Sequence, residues 1–213
     1  YVADHIDNNA EDVVRTLHVL RAELERVLTA DFQGRRVRFI GDCVHGLYAD
    51  GTAHTTDKKM SVSEATRLAG ALRSSFDLSI ERLTEKGCSA GGLGLAIGFD
   101  LGPVSVTRLG TKGHRVRCAI GRKVLNSENR QCDCKGDETA IGQAAYDAGT
   151  DAVRKLFGKT LKVANLDYEE ATEGLADNGD EAAKNARAAA YEGAPAILRA
   201  SEREVRPYAN VVR

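Results

Sequence analysis

The sequence has no apolar run long enough to cross a bilayer, no surplus of either charge, no cysteine framework, and no internal repeat or low-complexity linker. Each absence removes a class of function. Without about 20 consecutive apolar residues there is no membrane-spanning helix, so no membrane partner is expected. With 30 Lys and Arg against 31 Asp and Glu the formal net charge is −1, which gives no electrostatic ground for expecting nucleic acid. Five cysteines, Cys43, Cys88, Cys118, Cys132 and Cys134, are an odd count without framework spacing and point to a reducing cytoplasm. Cys132 and Cys134 lack the second ligand pair that a zinc site needs. The chain starts at Tyr1 without a methionine, so a trimmed sequence is expected, in which any leader or upstream domain would be invisible.

What is present is enough to fold. The 213 residues, 42% of them hydrophobic, suit one large domain, or a domain with an extension. Residues 1–3 read as a short strand ending at Asp4. Asn8 or Asn9 can cap the helix that follows, whose Val13, Leu17, Leu20, Leu24 and Val27 recur at helical spacing. Residues 36–40 and 43–49 read as strands joined at Gly41-Asp42, a connection that allows only a hairpin. Strand alternation puts Arg36 and Arg38 on one face. Ser61 and Glu64 have the spacing of a capping box for a second long helix, ending at Gly87. Strands are expected at 93–99, 104–108 and 114–120, and helices at 122–130, 143–156 and 180–200. Hairpin-linked strands interleaved with helices imply an α+β fold with a mostly antiparallel sheet.

Asp4 and Asp42 are the chemically suggestive pair. In a split β-α-β arrangement the first strand lies beside the hairpin, so two strand-end carboxylates project from one edge. Each can be read as a turn cap. Together they repel unless a cation lies between them, and oxygen-only ligands suit Mg²⁺ or Mn²⁺. The helix N-terminus after Asp4 offers free N–H groups to phosphates. Metal plus helix N-terminus implies a nucleoside triphosphate.

These segments resemble class III nucleotidyl cyclases. "YVADHIDN" is similar to the family's first metal motif and "RFIGDC" to its second. "IGFDLGPVSV" resembles its Gly-Pro-Val strand pair, "RVRCAIGRKVLNSENR" the strand-to-helix segment carrying base recognition and transition-state residues, and "TAIGQAAYDAG" the strand and helix near the domain's end. The resemblance covers 1–166 and implies a ferredoxin-type palm, with 167–213 as a helical extension packed on it. It also implies a homodimer with composite sites, two divalent ions per site, and attack of a ribose 3'-oxygen on the α-phosphate. By that pattern Asp4 and Asp42 bind metal, Arg38 and Cys118 face the base, and Asn126 and Arg130 orient the reacting phosphate. A gapless match from Gly121 puts Leu125 and Asn129 in that last role instead. A phosphate-binding lysine is expected near the last strands, at Lys159 or Lys162.

The departures from the family pattern bear on the substrate. Arg38 stands where adenine-selective members carry Lys and guanine-selective ones Glu. Arginine only donates hydrogen bonds, so it suits a carbonyl such as uracil O4, with cytosine or guanine fitting less well. Facing adenine's amine it would leave buried donors unpaired, at about 1–3 kcal/mol. The pattern is similar to the pyrimidine cyclases of Pycsar antiphage defence, which implies a cyclic UMP or cyclic CMP product acting on a separate effector protein. The alternatives are a purine cyclase, a degenerate nucleotide-binding fold and a plain dimerisation module. Asp42→Ala should abolish cyclic product while leaving the melting temperature within about 2 °C of wild type, since exposed substitutions stay within about 0.5 kcal/mol. Product assay beside thermal melting checks this.

Overall fold

The computed structural model describes residues 2–52 and 54–191, except the side chains of 2–5, 8, 39, 40 and 189–191. Its elements run α1 (Val2–Arg26), a π-helical turn (Val27–Asp31), β1 (Arg35–Ile40), β2 (Cys43–Leu47), β3 (Asp50–Gly51), β4 (Thr56–Asp57) and α2 (Lys58–Glu85). Then come β5 (Ile97–Phe99), β6 (Ser105–Leu109), β7 (Val116–Ile120), α3 (Arg122–Cys132), β8 (Glu138–Ile141) and α4 (Gln143–Ala148). The last are α5 (Asp151–Phe157), β9 (Lys162–Ala164), α6 (Tyr168–Asp177) and α7 (Glu181–Tyr191). The fold is α+β. Antiparallel pairs β1–β2, β3–β4, β6–β7 and β8–β9 outnumber the parallel pair β5–β8. Among the described residues no helix is long and apolar enough to cross a membrane.

The start of the chain differs from the sequence expectation. Val2 and Ala3 are helical, so Asp4 lies within a helical stretch and not at a strand end. A helix closes its own backbone hydrogen bonds, whereas a three-residue strand needs a neighbour. No strand in the described residues pairs with this segment, and the β1–β2 hairpin and the β5–β8–β9 sheet are separate. The cap expected at Asn8 or Asn9 is at Asn9. Its backbone leaves the helical region (φ −153°, ψ 65°), and its Oδ1 accepts from the Asp12 amide at 3.3 Å.

Two helix boundaries shift for local reasons. Asp57 caps α2, accepting from the Met60 amide at 3.0 Å, so the helix opens earlier than Ser61. That serine instead accepts from the Asp50 amide at 2.9 Å. The single helix expected over 143–156 breaks into α4 and α5 at Gly149, where Thr150 starts the second helix by accepting from the Val153 amide at 3.4 Å. The strand expected over 93–99 shortens to β5. The Leu95 carbonyl goes to the buried Arg73, whose guanidinium also donates to the carbonyls of Gly136 and Glu138, at 2.6, 3.2 and 3.3 Å.

Three buried clusters hold the layers together. One lies between α1, α2 and the segment around Cys88 and Ala90, built on Val19, Leu20, Leu24, Phe76 and Leu83. A second, under the π-helical turn, joins Val27, Leu28 and Phe32 to Leu68 and Ala71. The third joins Val62, Ile141, Val153 and Phe157 to Leu166, Ala171, Leu175 and Ala183, so α6 and α7 close over α2. Asp180, 3% exposed, accepts from Ser63 Oγ at 2.5 Å, Thr150 Oγ1 at 3.0 Å and the Ala183 amide at 3.1 Å, linking α2, α5 and α7. The expected helix over 180–200 is described as far as Tyr191; the rest lies outside the described residues.

Gly70 sits where α2 passes the start of α6, and a Cβ there would run into the Asp167 carbonyl and the Ala171 side chain. Gly70→Ala gains up to about 1 kcal/mol of helix propensity but must push backbone aside, at about 1–3 kcal/mol. The net expectation is a lowered denaturation midpoint with an unchanged slope in urea.

Candidate active site

The β1–β2 hairpin turns through Gly41, whose φ of 56° favours glycine. The turn leaves Asp42 exposed, and its carboxylate has no hydrogen bond or ion pair among the described residues. An open carboxylate of this kind suits one ligand position of a hard divalent ion. The described residues contain no cluster of three His, Cys, Asp or Glu side chains able to hold a metal. The side chain of Asp4 is not among them, so the Asp4–Asp42 pair lies outside the described geometry.

The two faces of the hairpin have different fates. Arg36 pairs with Gly46, Arg38 with His45 and Phe39 with Val44, and a bulge at Val37 interrupts the register. Side chains of paired residues share a face, so the bulge sets Arg36 and Arg38 on opposite sides, against the simple alternation expected. The Arg36 side faces the helices: its Nε meets Glu25 Oε1 at 2.9 Å, Val44 packs on the α1–α2 cluster, and a Cβ on Gly46 would strike Leu28. Arg38, His45 and Cys43 therefore lie on the other side of the hairpin, with Arg38 and Cys43 exposed and His45 half-buried.

This open side is electrostatically coupled to α3. Burial, then the nearby Arg38 charge, lowers the pKa of His45, while Glu128 on α3 opposes them. Burial, then Asp42, Glu128 and Cys132, push the Cys43 thiol up. Cys118 lies on β7, half-buried, opposite Thr107. Its thiol donates to the Val116 carbonyl at 3.6 Å. β7 reaches β1 through Arg117, whose Nη1 donates to the Arg36 carbonyl at 3.0 Å.

The placement of α3 turns on Asp100, a residue the sequence reading passed over. Its side chain is 1% exposed. Oδ1 accepts from the amides of Leu101 at 2.8 Å and Ala145 at 3.1 Å. Oδ2 accepts from Lys123 Nζ at 3.0 Å and Asn126 Nδ2 at 3.1 Å. Burial alone would raise its pKa, but these four donors outweigh burial and hold it below the ordinary carboxylate range. The signal available in sequence was an acidic residue closing an apolar strand before Gly-Pro.

This clasp turns Asn126 inward, and Arg130 is half-buried on the same side of the helix. The outward face of α3 carries Arg122, Leu125, Glu128, Asn129 and Cys132. Leu125 and Asn129, the gapless match, thus stand on the open face, while the amide of Asn126 is bonded to Asp100. Lys162 holds the other end of α3, donating to the Asp133 carbonyl and approaching Glu138 Oε2 at 3.4 Å, a favourable place for a cation at a helix C-terminus. Lys159 is exposed.

No family model matches the chain. It is similar to a uridylate cyclase of Pseudomonas aeruginosa, 69% identical over 208 residues, covering 98% of this chain and 40% of that protein. It is also similar to a uridylate cyclase of a Rhizobium species, 46% identical over 150 residues, covering 68% of this chain and 27% of that one. Among solved structures it is similar to a class III adenylyl cyclase-like ATP-binding protein from Pseudomonas aeruginosa, with a TM-score of 0.79 and 71% identity, covering 82% of this chain and 37% of the other. The chain therefore spans well under half the length of each of these relatives.

Asp100→Asn leaves Lys123 without its charge partner and presents an amide to N–H donors. Breaking such a buried pair should cost roughly 3–5 kcal/mol. Because the folded-state pKa lies below the ordinary value, the carboxylate's contribution is present above that ordinary value and is lost as pH falls through the lowered one. Wild type should therefore lose stability on acidification more steeply than the variant, as read by urea unfolding between neutral pH and the acid limb.

Proposed function

The chain belongs to the class III nucleotidyl cyclases, and we propose that it forms 3',5'-cyclic UMP and pyrophosphate from UTP. The observation that carries this is Arg38 on the open side of the hairpin, four residues before Asp42: a donor-only side chain at the base position. The uridylate cyclases it resembles support the same substrate.

In this reading Asp4 and Asp42 hold two Mg²⁺ or Mn²⁺ ions. Bound there, such ions lower the pKa of the ribose 3'-hydroxyl and offset the triphosphate charge. The 3'-hydroxyl gives up its proton to solvent water and its oxygen forms a bond to the α-phosphorus, while the bond from that phosphorus to the bridging β-phosphate oxygen breaks and pyrophosphate leaves. Arg38 donates to a base carbonyl and Cys118 lies against the base. Asn126 and Arg130 orient the reacting phosphate, with Leu125 and Asn129 as the competing register on the open face. Positioning and charge stabilisation are most of what such a transfer demands.

The working form is a homodimer in which Asp4 and Asp42 come from one protomer and Arg38, Cys118, Asn126 and Arg130 from the other. The β6–β7 hairpin supports this: Leu109, Val116 and Ile120 share the face of Cys118 by register, and each is 52% exposed. Residues 1–166 form the catalytic unit and 167–213 its extension, which begins with α6 and α7. The enzyme works in the cytoplasm, and its product serves antiphage defence through a separate effector protein.

A purine substrate is the second reading, favoured by the ATP-binding relative of known structure. Incubation with each of the four nucleoside triphosphates and Mn²⁺ separates the two. The expected outcome is cyclic UMP as the main product, at least tenfold over any other. A predominant purine product would replace the substrate assignment, and no product from any triphosphate would overturn the enzymatic reading.

A further inference from the structure

The uracil edge asks for more than Arg38 supplies. It presents an acceptor at O4 and, beside it, the N3–H donor. Arginine satisfies the first and has no acceptor for the second. A buried N3–H without a partner would carry the usual penalty for an unpaired polar group. Some neighbour of Arg38 must therefore accept a hydrogen bond.

The open side of the hairpin narrows the choice. Cys118, assigned to the base with Arg38, has its thiol proton on the Val116 carbonyl, and the sulfur that remains is a weak acceptor. Cys43 on the same side offers only another thiol, whose sulfur is a weak acceptor. His45 is the direct cross-strand partner of Arg38. Paired residues across an antiparallel ladder hold their Cβ atoms roughly 4.5–5.5 Å apart on one face, close enough for two side chains to meet adjacent atoms of one ring. A neutral imidazole carries one donor nitrogen and one acceptor nitrogen. Burial and the Arg38 charge both favour the neutral form, against the opposing pull of Glu128.

Resting on the cyclase reading above, we propose that His45 is a second base-reading residue, its acceptor nitrogen taking the uracil N3–H while Arg38 donates to O4. The pair discriminates against cytosine, which offers an acceptor at N3 and a donor amine where uracil has its carbonyl. Adenine is mismatched in the same sense. Guanine reproduces the carbonyl and N–H but adds a 2-amino donor, which neither Arg38 nor the single acceptor nitrogen of His45 can also take. The Gly41-Asp42 turn sets Arg38 opposite His45, and the bulge at Val37 keeps Arg36 on the other side with Glu25.

The test compares wild type, His45→Phe and His45→Gln in the full chain. The readouts are kcat/KM for UTP and CTP, and binding of 3'-deoxy-UTP and 3'-deoxy-CTP, which cannot cyclise. Phe keeps a planar ring but has no acceptor, so the UTP-to-CTP ratio should fall about tenfold or more. Gln keeps an acceptor and should hold the ratio within about threefold of wild type. A ratio unchanged in His45→Phe overturns the proposal while leaving the cyclase reading intact. If wild type makes no product but binds the uridine analogue more tightly, and His45→Phe loses that preference, catalysis fails and His45 stands. Equal binding of both analogues by wild type, or binding of neither, overturns the proposal. Should the Phe variant not fold, as judged by melting, His45→Ala, which adds no bulk, is scored by the same ratios.

Discussion

The carboxylate of Asp100 is the interaction on which the placement of α3 depends. A charge this deeply buried survives only when donors surround it, and here they come from the strand end, from α3 and from the start of α4. Lys123 and Asn126 are three residues apart, so they lie on one side of the helix. Fastening both sets the rotation of α3 about its axis. Lys162 fixes the far end. The outward face, with Leu125 and Asn129, is what remains free to meet substrate or a second protomer.

The hairpin follows a parallel logic. One side is committed to the helices through Arg36–Glu25, Val44 and the close approach of Gly46 to Leu28. The other carries Arg38, His45 and Cys43 into the open. A guanidinium and an imidazole stand on that side, with Glu128 of α3 near enough to act on the imidazole. The core beneath keeps it in place: α2 touches all three buried clusters, so the hairpin, α1 and the α6–α7 layer share one support.

Much of this was legible in the sequence. Gly41-Asp42 between two β-rich runs specified the hairpin and its turn. Helical periodicity located α1, a polar start followed by a long run located α2, and the cap of α1 was narrowed to Asn8 or Asn9. What escaped was non-local. The bulge at Val37 exists only relative to a partner strand, so alternation within β1 could not reveal that Arg36 and Arg38 part company. The pairing of β5 with β8 joins segments some forty residues apart. Asp100 gained meaning only when Lys123, Asn126 and Ala145 converged on it. The strand expected over 1–3 read apolar residues as β, whereas Val2 and Ala3 lie in a helix that satisfies its own backbone.

The offset in β1 has an evolutionary corollary. Because Val37 is the extra residue, losing its single codon would leave Arg36 opposite Gly46 and Arg38 opposite His45 and make the ladder between them regular. A lineage could thus drop that residue after an indel and keep both guanidinium stations, one toward the first helix and one toward the ligand. Length variation at that one codon would change the local twist of the strand and discard a buried valine, without any substitution of the arginines themselves.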